Sequence, residues 1–127
     1  MVSVTPVTEI GADARGTTHV FDNDRTGQLM VTYRVAGSVS GRHYHTGRSP
    51  HKNPERLVLM SGTAVINWLH IETKATGSCT ATAPAIIEIQ PLAWHEVVAQ
   101  TDIAVLELNS LKDGRGDTFN MEGNALY

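Results

Sequence analysis

Gly37-Ser-Val-Ser-Gly-Arg-His43-Tyr-His45 is the stretch on which the reading turns. Its two imidazoles stand at i and i+2. Alternate residues of an extended strand share a face, so both rings point to one side. Glu55 follows a segment holding Gly47, Pro50 and Pro54, which reads as loop, and Ser61-Gly62 makes the next turn. A third imidazole arrives in Gln90-Pro-Leu-Ala-Trp-His95. Three imidazoles and a carboxylate suit one divalent transition metal at about 2.0–2.2 Å, with open positions for water or substrate. His51, in the loop before Glu55, is the substitute ligand if the carboxylate falls elsewhere.

Outward from this stretch the chain reads as short strands between turns. Residues 4–10, 17–21, 28–35, 39–45, 56–60, 63–70, 79–83, 85–89, 96–99 and 103–109 carry the β-prone runs, whereas 11–16, 22–27 and 73–78 read as turn or loop. No segment sustains a helical period. An all-β sandwich or barrel follows, and a double-sheet jelly roll is the natural choice. The expected division is an N-terminal arm with the first strands (1–24), a β-barrel (25–110) and a glycine-containing tail (111–127), all one domain. The tail is expected to be loose or to cross to a partner.

Composition excludes several classes. Net charge is −3 with scattered basic residues, which argues against nucleic-acid binding. No run has the apolar length of a membrane span. Met1-Val-Ser-Val-Thr-Pro lacks the charged-then-apolar pattern of a signal peptide. Cys79 is the one cysteine, so no internal disulfide forms. A cytoplasmic location is the expectation.

Candidate working residues flank the ligands. Tyr33 is a candidate proton donor, and Arg34 a candidate substrate-binding cation. Being adjacent on one strand, at most one of them faces inward. Arg42 and Tyr44 alternate with the two histidines and are expected to face away from the site. Glu107, in an apolar strand, is a candidate catalytic base, and Trp94 a candidate wall of the substrate pocket. His19 and His70 are expected to be structural or exposed.

Gly37, His43, His45, Glu55 and Gly62 together resemble the first sequence motif of the cupin superfamily: glycine, five residues, His-x-His, a gap, Glu, six residues, glycine. The gap from His45 to Glu55 is longer than usual. Of the second motif His95 keeps its place, while Pro84, Gln90, Leu92 and Ala99 replace the usual Gly, Pro, Gly and Asn. Asp13-Ala-Arg15-Gly16 is similar to an element of cupins that act on nucleotide sugars. Trp94-His95-Glu96 with residues 101–110 resembles nucleotide-sugar 3,4-ketoisomerases, although Ser40 stands where those enzymes carry arginine and Glu55 where they usually lack a glutamate. The stretch from Gly41 to Gly62 is also similar to the cupin domain of capsular-polysaccharide epimerases.

The resemblance implies a jelly-roll (double-stranded β-helix) cupin barrel, commonly dimeric. With zinc, iron, nickel or manganese as the ion, the residues suit an isomerase or epimerase of a sugar or nucleotide-sugar type, the metal acting as Lewis acid on a small-molecule substrate. An iron- or nickel-dependent dioxygenase and a non-catalytic ligand-binding or sensing cupin are the alternatives.

Overall fold

A computed structural model describes residues 1–127. Eleven strands and one helical turn follow one another: β1 (Val2–Pro6), β2 (Thr8–Asp13), β3 (Gly16–Val20), β4 (Met30–Arg34), β5 (Val39–His43), β6 (Glu55–Ser61), β7 (Thr63–His70), β8 (Thr76–Thr82), β9 (Ala85–Ile89), β10 (Ala93–Ala99), β11 (Ile103–Glu107) and α1 (Leu111–Gly114). All named pairings are antiparallel. Five strands form one barrel sheet in the order β1-β9-β6-β11-β4, four form the other in the order β5-β10-β7-β8, and β2 and β3 pair as a separate hairpin. No helix is long and apolar enough to cross a membrane.

The core lies between the two sheets, and alternation explains which residues reach it. The five-stranded sheet contributes Leu57, Leu59, Ile87, Ile89, Ile103 and Val105. The four-stranded sheet contributes Ile66 and four alanines, Ala64, Ala81, Ala93 and Ala99. Bulk on one inner face meets small side chains on the other. Further along, β7 turns Trp68 inward against Gly77 of β8, where any Cβ would come within 2.4 Å of the indole. Only glycine lets the two strands close there.

Some expected boundaries shift. Residues 4–10 do not form a single strand: Val7 is buried between β1, which joins the barrel beside β9, and β2, which does not. Residues 11–13 belong to β2, and the turn there shrinks to two residues between paired strands. β8 begins at Thr76, inside the expected loop, because its polar residues alternate along an antiparallel partner. The tail is neither loose nor reaching away. It folds back on its own barrel, where the Asp117 carboxylate accepts hydrogen bonds from the Thr46, Gly47 and Arg48 amides at 2.8–3.0 Å. Phe119 bridges to Tyr44, and the two rings pack 5.4 Å apart.

Candidate metal centre and cavity

β5 and β10 lie side by side with His43 opposite His95. Immediately beyond this pair Gly41 faces Glu96, so Arg42 is an extra residue in β5. Arg42 (φ 59°) and Gly41 (φ 84°) both take the left-handed conformation. At Gly41 a side chain would meet the His95 carbonyl at 3.0 Å. A bulge of this kind re-aims side chains. Here it lets Ser40 and His43, three positions apart, line the same cavity.

His45 lies two residues on, and the three rings cluster with centroids 4.8–6.1 Å apart. One nitrogen from each of His43, His45 and His95 lies within 4.8 Å of the others. Glu55, at the start of β6 on the opposite sheet, completes the group. Its Oε2 lies 3.4 Å from His45 Nε2 and its Oε1 3.3 Å from His95 Nε2.

The far nitrogens define the protonation pattern. His45 Nδ1 lies 2.7 Å from the Asp117 carbonyl, and His95 Nδ1 lies 2.8 Å from the Ala93 carbonyl. A carbonyl only accepts, so each Nδ1 carries the hydrogen. A ring with its one hydrogen on Nδ1 presents a bare Nε2 lone pair toward a carboxylate oxygen, and two acceptors that close repel unless a proton or a metal cation stands between them. His45 Nε2 is buried and makes no hydrogen bond. Burial, reinforced by the neighbouring His95 and His45 rings, pushes the His43 imidazole down to about 3. Burial opposes ionisation of Glu55, but the close His45 and His95 rings and the Lys52 charge outweigh it and hold the carboxyl well below its usual range.

This donor set fits a divalent ion. Two ligand atoms at about 2.0–2.2 Å in a tetrahedral arrangement are separated by about 3.3–3.6 Å. The Glu55–histidine separations of 3.3 and 3.4 Å match that span. Anchoring of the remote imidazole nitrogen on a carbonyl is the usual support of a ligating histidine.

The group opens into a cavity of about 260 Å³ between the sheets. Leu57, Leu59, Ile87, Val97, Ile103 and Val105 form its apolar wall. Arg34, Thr32, Ser40 and Glu107 are its polar residues away from the imidazoles. Thr32 Oγ1 donates to Glu107 Oε2 at 2.5 Å, which holds one carboxylate oxygen and leaves the other for a proton. The volume falls just below the ~300–1,000 Å³ usual for ligand pockets.

The sequence expectations divide accordingly. His43, His45, Glu55 and His95 come together, and Arg34 and Glu107 face the same cavity. Tyr33 does not: it is 72% exposed on the opposite face of β4, because Thr32 and Arg34 take the inward positions. Trp94 does not either, since it neighbours inward His95 and stands on the outer face of β10. Arg42 faces outward with Glu96 as partner. Tyr44 also turns from the cavity, yet it is buried beneath Phe119. His51 is no substitute ligand, because its Nδ1 is 3.3 Å from Asp113. His70 accepts amide hydrogens in its own turn, and His19 sits on the β2–β3 hairpin near Glu9.

Several residues around the site had drawn no attention. Lys52, buried beside Glu55, donates to its Oε2 and to Asn109 Oδ1. Asp117 grips the loop after His45. The Arg25 guanidinium, 6% exposed, donates to the His51 and Pro54 carbonyls and clamps the loop between His45 and Glu55. The long gap between those ligands was the one available signal: a loop that delivers a ligand must be held.

The polysaccharide biosynthesis C-terminal domain family matches residues 11–118. The chain belongs to this family. No curated protein matches it. Solved structures similar to this member of the polysaccharide biosynthesis C-terminal domain family include a double mutant of the 3,4-ketoisomerase QdtA from Thermoanaerobacterium thermosaccharolyticum in complex with TDP. It shows 20% identity, covers 93% of this chain and 86% of the other, and has a TM-score of 0.71. The dTDP-4-dehydrorhamnose 3,5-epimerase from Sulfolobus tokodaii shows 14% identity over 94% and 76%, with a TM-score of 0.72. A 3,4-ketoisomerase from Helicobacter canadensis shows 16% identity over 93% and 89%, with a TM-score of 0.68. These likenesses show the fold: the chain is an antiparallel all-β jelly-roll barrel.

Proposed function

We propose that this chain is an isomerase or epimerase of a sugar or nucleotide sugar, with one divalent ion held by His43, His45, His95 and Glu55. The carrying observation is the convergence of bare imidazole nitrogens and a carboxylate at 3.3–3.4 Å inside a small cavity that Glu107 also faces. The structurally similar 3,4-ketoisomerases and 3,5-epimerase, and the polysaccharide-biosynthesis family, support the substrate class.

When bound, the ion supplies Lewis-acid polarisation of a carbonyl. The chain's own residues do the rest. The apolar wall excludes water around a group the size of one sugar ring. Glu107, fixed by Thr32, takes a proton from the carbon next to the carbonyl and returns it to a neighbouring position or the opposite face. Arg34 meets a negatively charged part of the substrate.

The reading includes a homodimer, supported by the exposed apolar Val31 and Tyr33 of β4, an edge strand of its sheet, and by exposed Val35 just after it.

The test combines elemental analysis with solvent-deuterium exchange into TDP-4-keto-6-deoxyglucose, the compound bound in a QdtA mutant. Wild-type protein is expected to hold close to one equivalent of metal and to exchange deuterium next to the carbonyl. His45→Ala should lose both, and Glu107→Gln should keep the metal while losing about 10²–10⁴-fold in rate. Full exchange by metal-free His45→Ala would sink the metal-assisted reading.

A further inference from the structure

Lys52 is buried where a lysine is rarely found, at 6% exposure, and it lines the cavity. Its ammonium has two partners, Glu55 Oε2 and, at 3.0 Å, Asn109 Oδ1. Asn109 is wholly buried, and its Nδ2 has no hydrogen-bond partner. A buried ammonium persists only when paired, and Glu55 is the one carboxylate that Lys52 touches. The oxygen it engages, Oε2, is the same atom that lies 3.4 Å from His45 Nε2. One carboxylate oxygen therefore lies against both the lysine on one side and the imidazole cluster on the other.

From this geometry we infer that Lys52 is a specificity-determining residue that competes with the metal ion for Glu55 and holds the site's affinity down. The inference rests on the proposed metal centre. An ion entering the cluster meets a resident positive charge across a shared oxygen, in a cavity with an apolar wall that screens charge poorly. It must share Oε2 with Lys52 or be content with Oε1. Either way Glu55 gives the ion less than a free carboxylate would, and the three imidazoles carry more of the selection. Ions that favour nitrogen ligands, such as zinc and nickel, gain over those that need oxygen. In the metal-free protein Lys52 takes the ion's part by neutralising Glu55.

The experiment is zinc titration against a chromophoric chelator, with wild type and Lys52→Met compared at equal pH and ionic strength. Lys52→Gln, which keeps a hydrogen-bond donor for Asn109 without the charge, guards against misfolding. Removal of Lys52 is expected to tighten zinc binding at least tenfold, and the zinc-induced rise in melting temperature should be larger in both variants than in wild type. Damage to the fold weakens a metal site, so a tightening separates this role from a merely structural one. One equivalent bound by wild type with equal or weaker binding by both variants overturns the inference and leaves the metal centre standing. Binding by the variants alone supports it in its strongest form, with Lys52 keeping the ion out. No binding by any of the three proteins overturns the inference and the metal centre together.

Discussion

The β2–β3 hairpin (residues 8–20) and the tail from Ser110 onward both lie outside the barrel sheets and are both rich in polar residues and glycine. The structure treats them oppositely. Every residue of β2 is exposed, as is β3 apart from His19, and the hairpin is held chiefly by its own ladder. In the tail Ser110, Asp117 and Thr118 are at most 3% exposed. The difference is made by hydrogen bonds over long sequence separations rather than by apolar area. Asp117 satisfies three amides and the Thr46 hydroxyl, and its own carbonyl receives His45 Nδ1. Asp113 accepts from Ser49 and closes a capping box with Ser110. Polar composition therefore says little about whether a segment is tied down. What counts is whether its acceptors meet a loop with unpaired amides.

The largest break in this contrast should come from Asp117→Ala. It strands three backbone amides in a partly buried loop, at a cost of roughly 3 kcal/mol in urea-denaturation stability. By loosening the carbonyl that orients His45, it should also weaken zinc binding about 10–100-fold. A variant with wild-type stability and affinity would show that the tail merely lies on the barrel.

An acid limb should follow. Burial raises the Asp113 carboxyl, but hydrogen bonds from Ser49, Ser110 and His51 outweigh it and bring it down to about 2. Its folded value lies below its unfolded value, so its contribution is full above pH ~4 and is lost as pH falls from there toward 2. That contribution is on the order of 2 kcal/mol. Asp117 is shifted in the same direction: burial opposes ionisation, while Thr46 and the neighbouring amides prevail. Asp113→Asn should flatten the decline of stability between pH 5 and 2.5 seen by urea titration, and an unchanged slope would remove Asp113 from the account.

The smallest effect belongs to the hairpin. Arg15 and Asp13 pair at 2.7 Å, with side chains 92% and 52% exposed. Arg15→Ala should leave the melting temperature unchanged, as exposed ion pairs commonly do. A clear drop would mean that the hairpin is buried against a second copy in solution, and the contrast with the tail would then dissolve.

Much of the candidate site was legible because it obeys local rules. His43 and His45 follow strand alternation, and the turn at Gly62 follows glycine chemistry. Alternation also placed Arg42 and Tyr44 outside the cavity. The same parity applied to His95 excludes Trp94, and a choice between Tyr33 and Arg34 needed the core to say which face was inner. Illegible were Lys52, Asn109, Asp113 and Asp117. Each is polar and wholly or partly buried, and each owes its place to a partner far along the chain, as Asp117 does to residues 46–48 and Asn109 to Lys52. Hydropathy patterns report faces, not long-range polar pairings.

Trp68, pressed against Gly77, stands opposite His95 in the pairing of β7 with β10, and both side chains turn inward. Directly paired residues of an antiparallel ladder keep their side chains about 5 Å apart. The other indole, Trp94, lies on the outer face of the same sheet. The chain thus carries an intrinsic optical probe beside its candidate metal centre and a second one facing away from it. Tryptophan emission can register events at the imidazoles without any attached label.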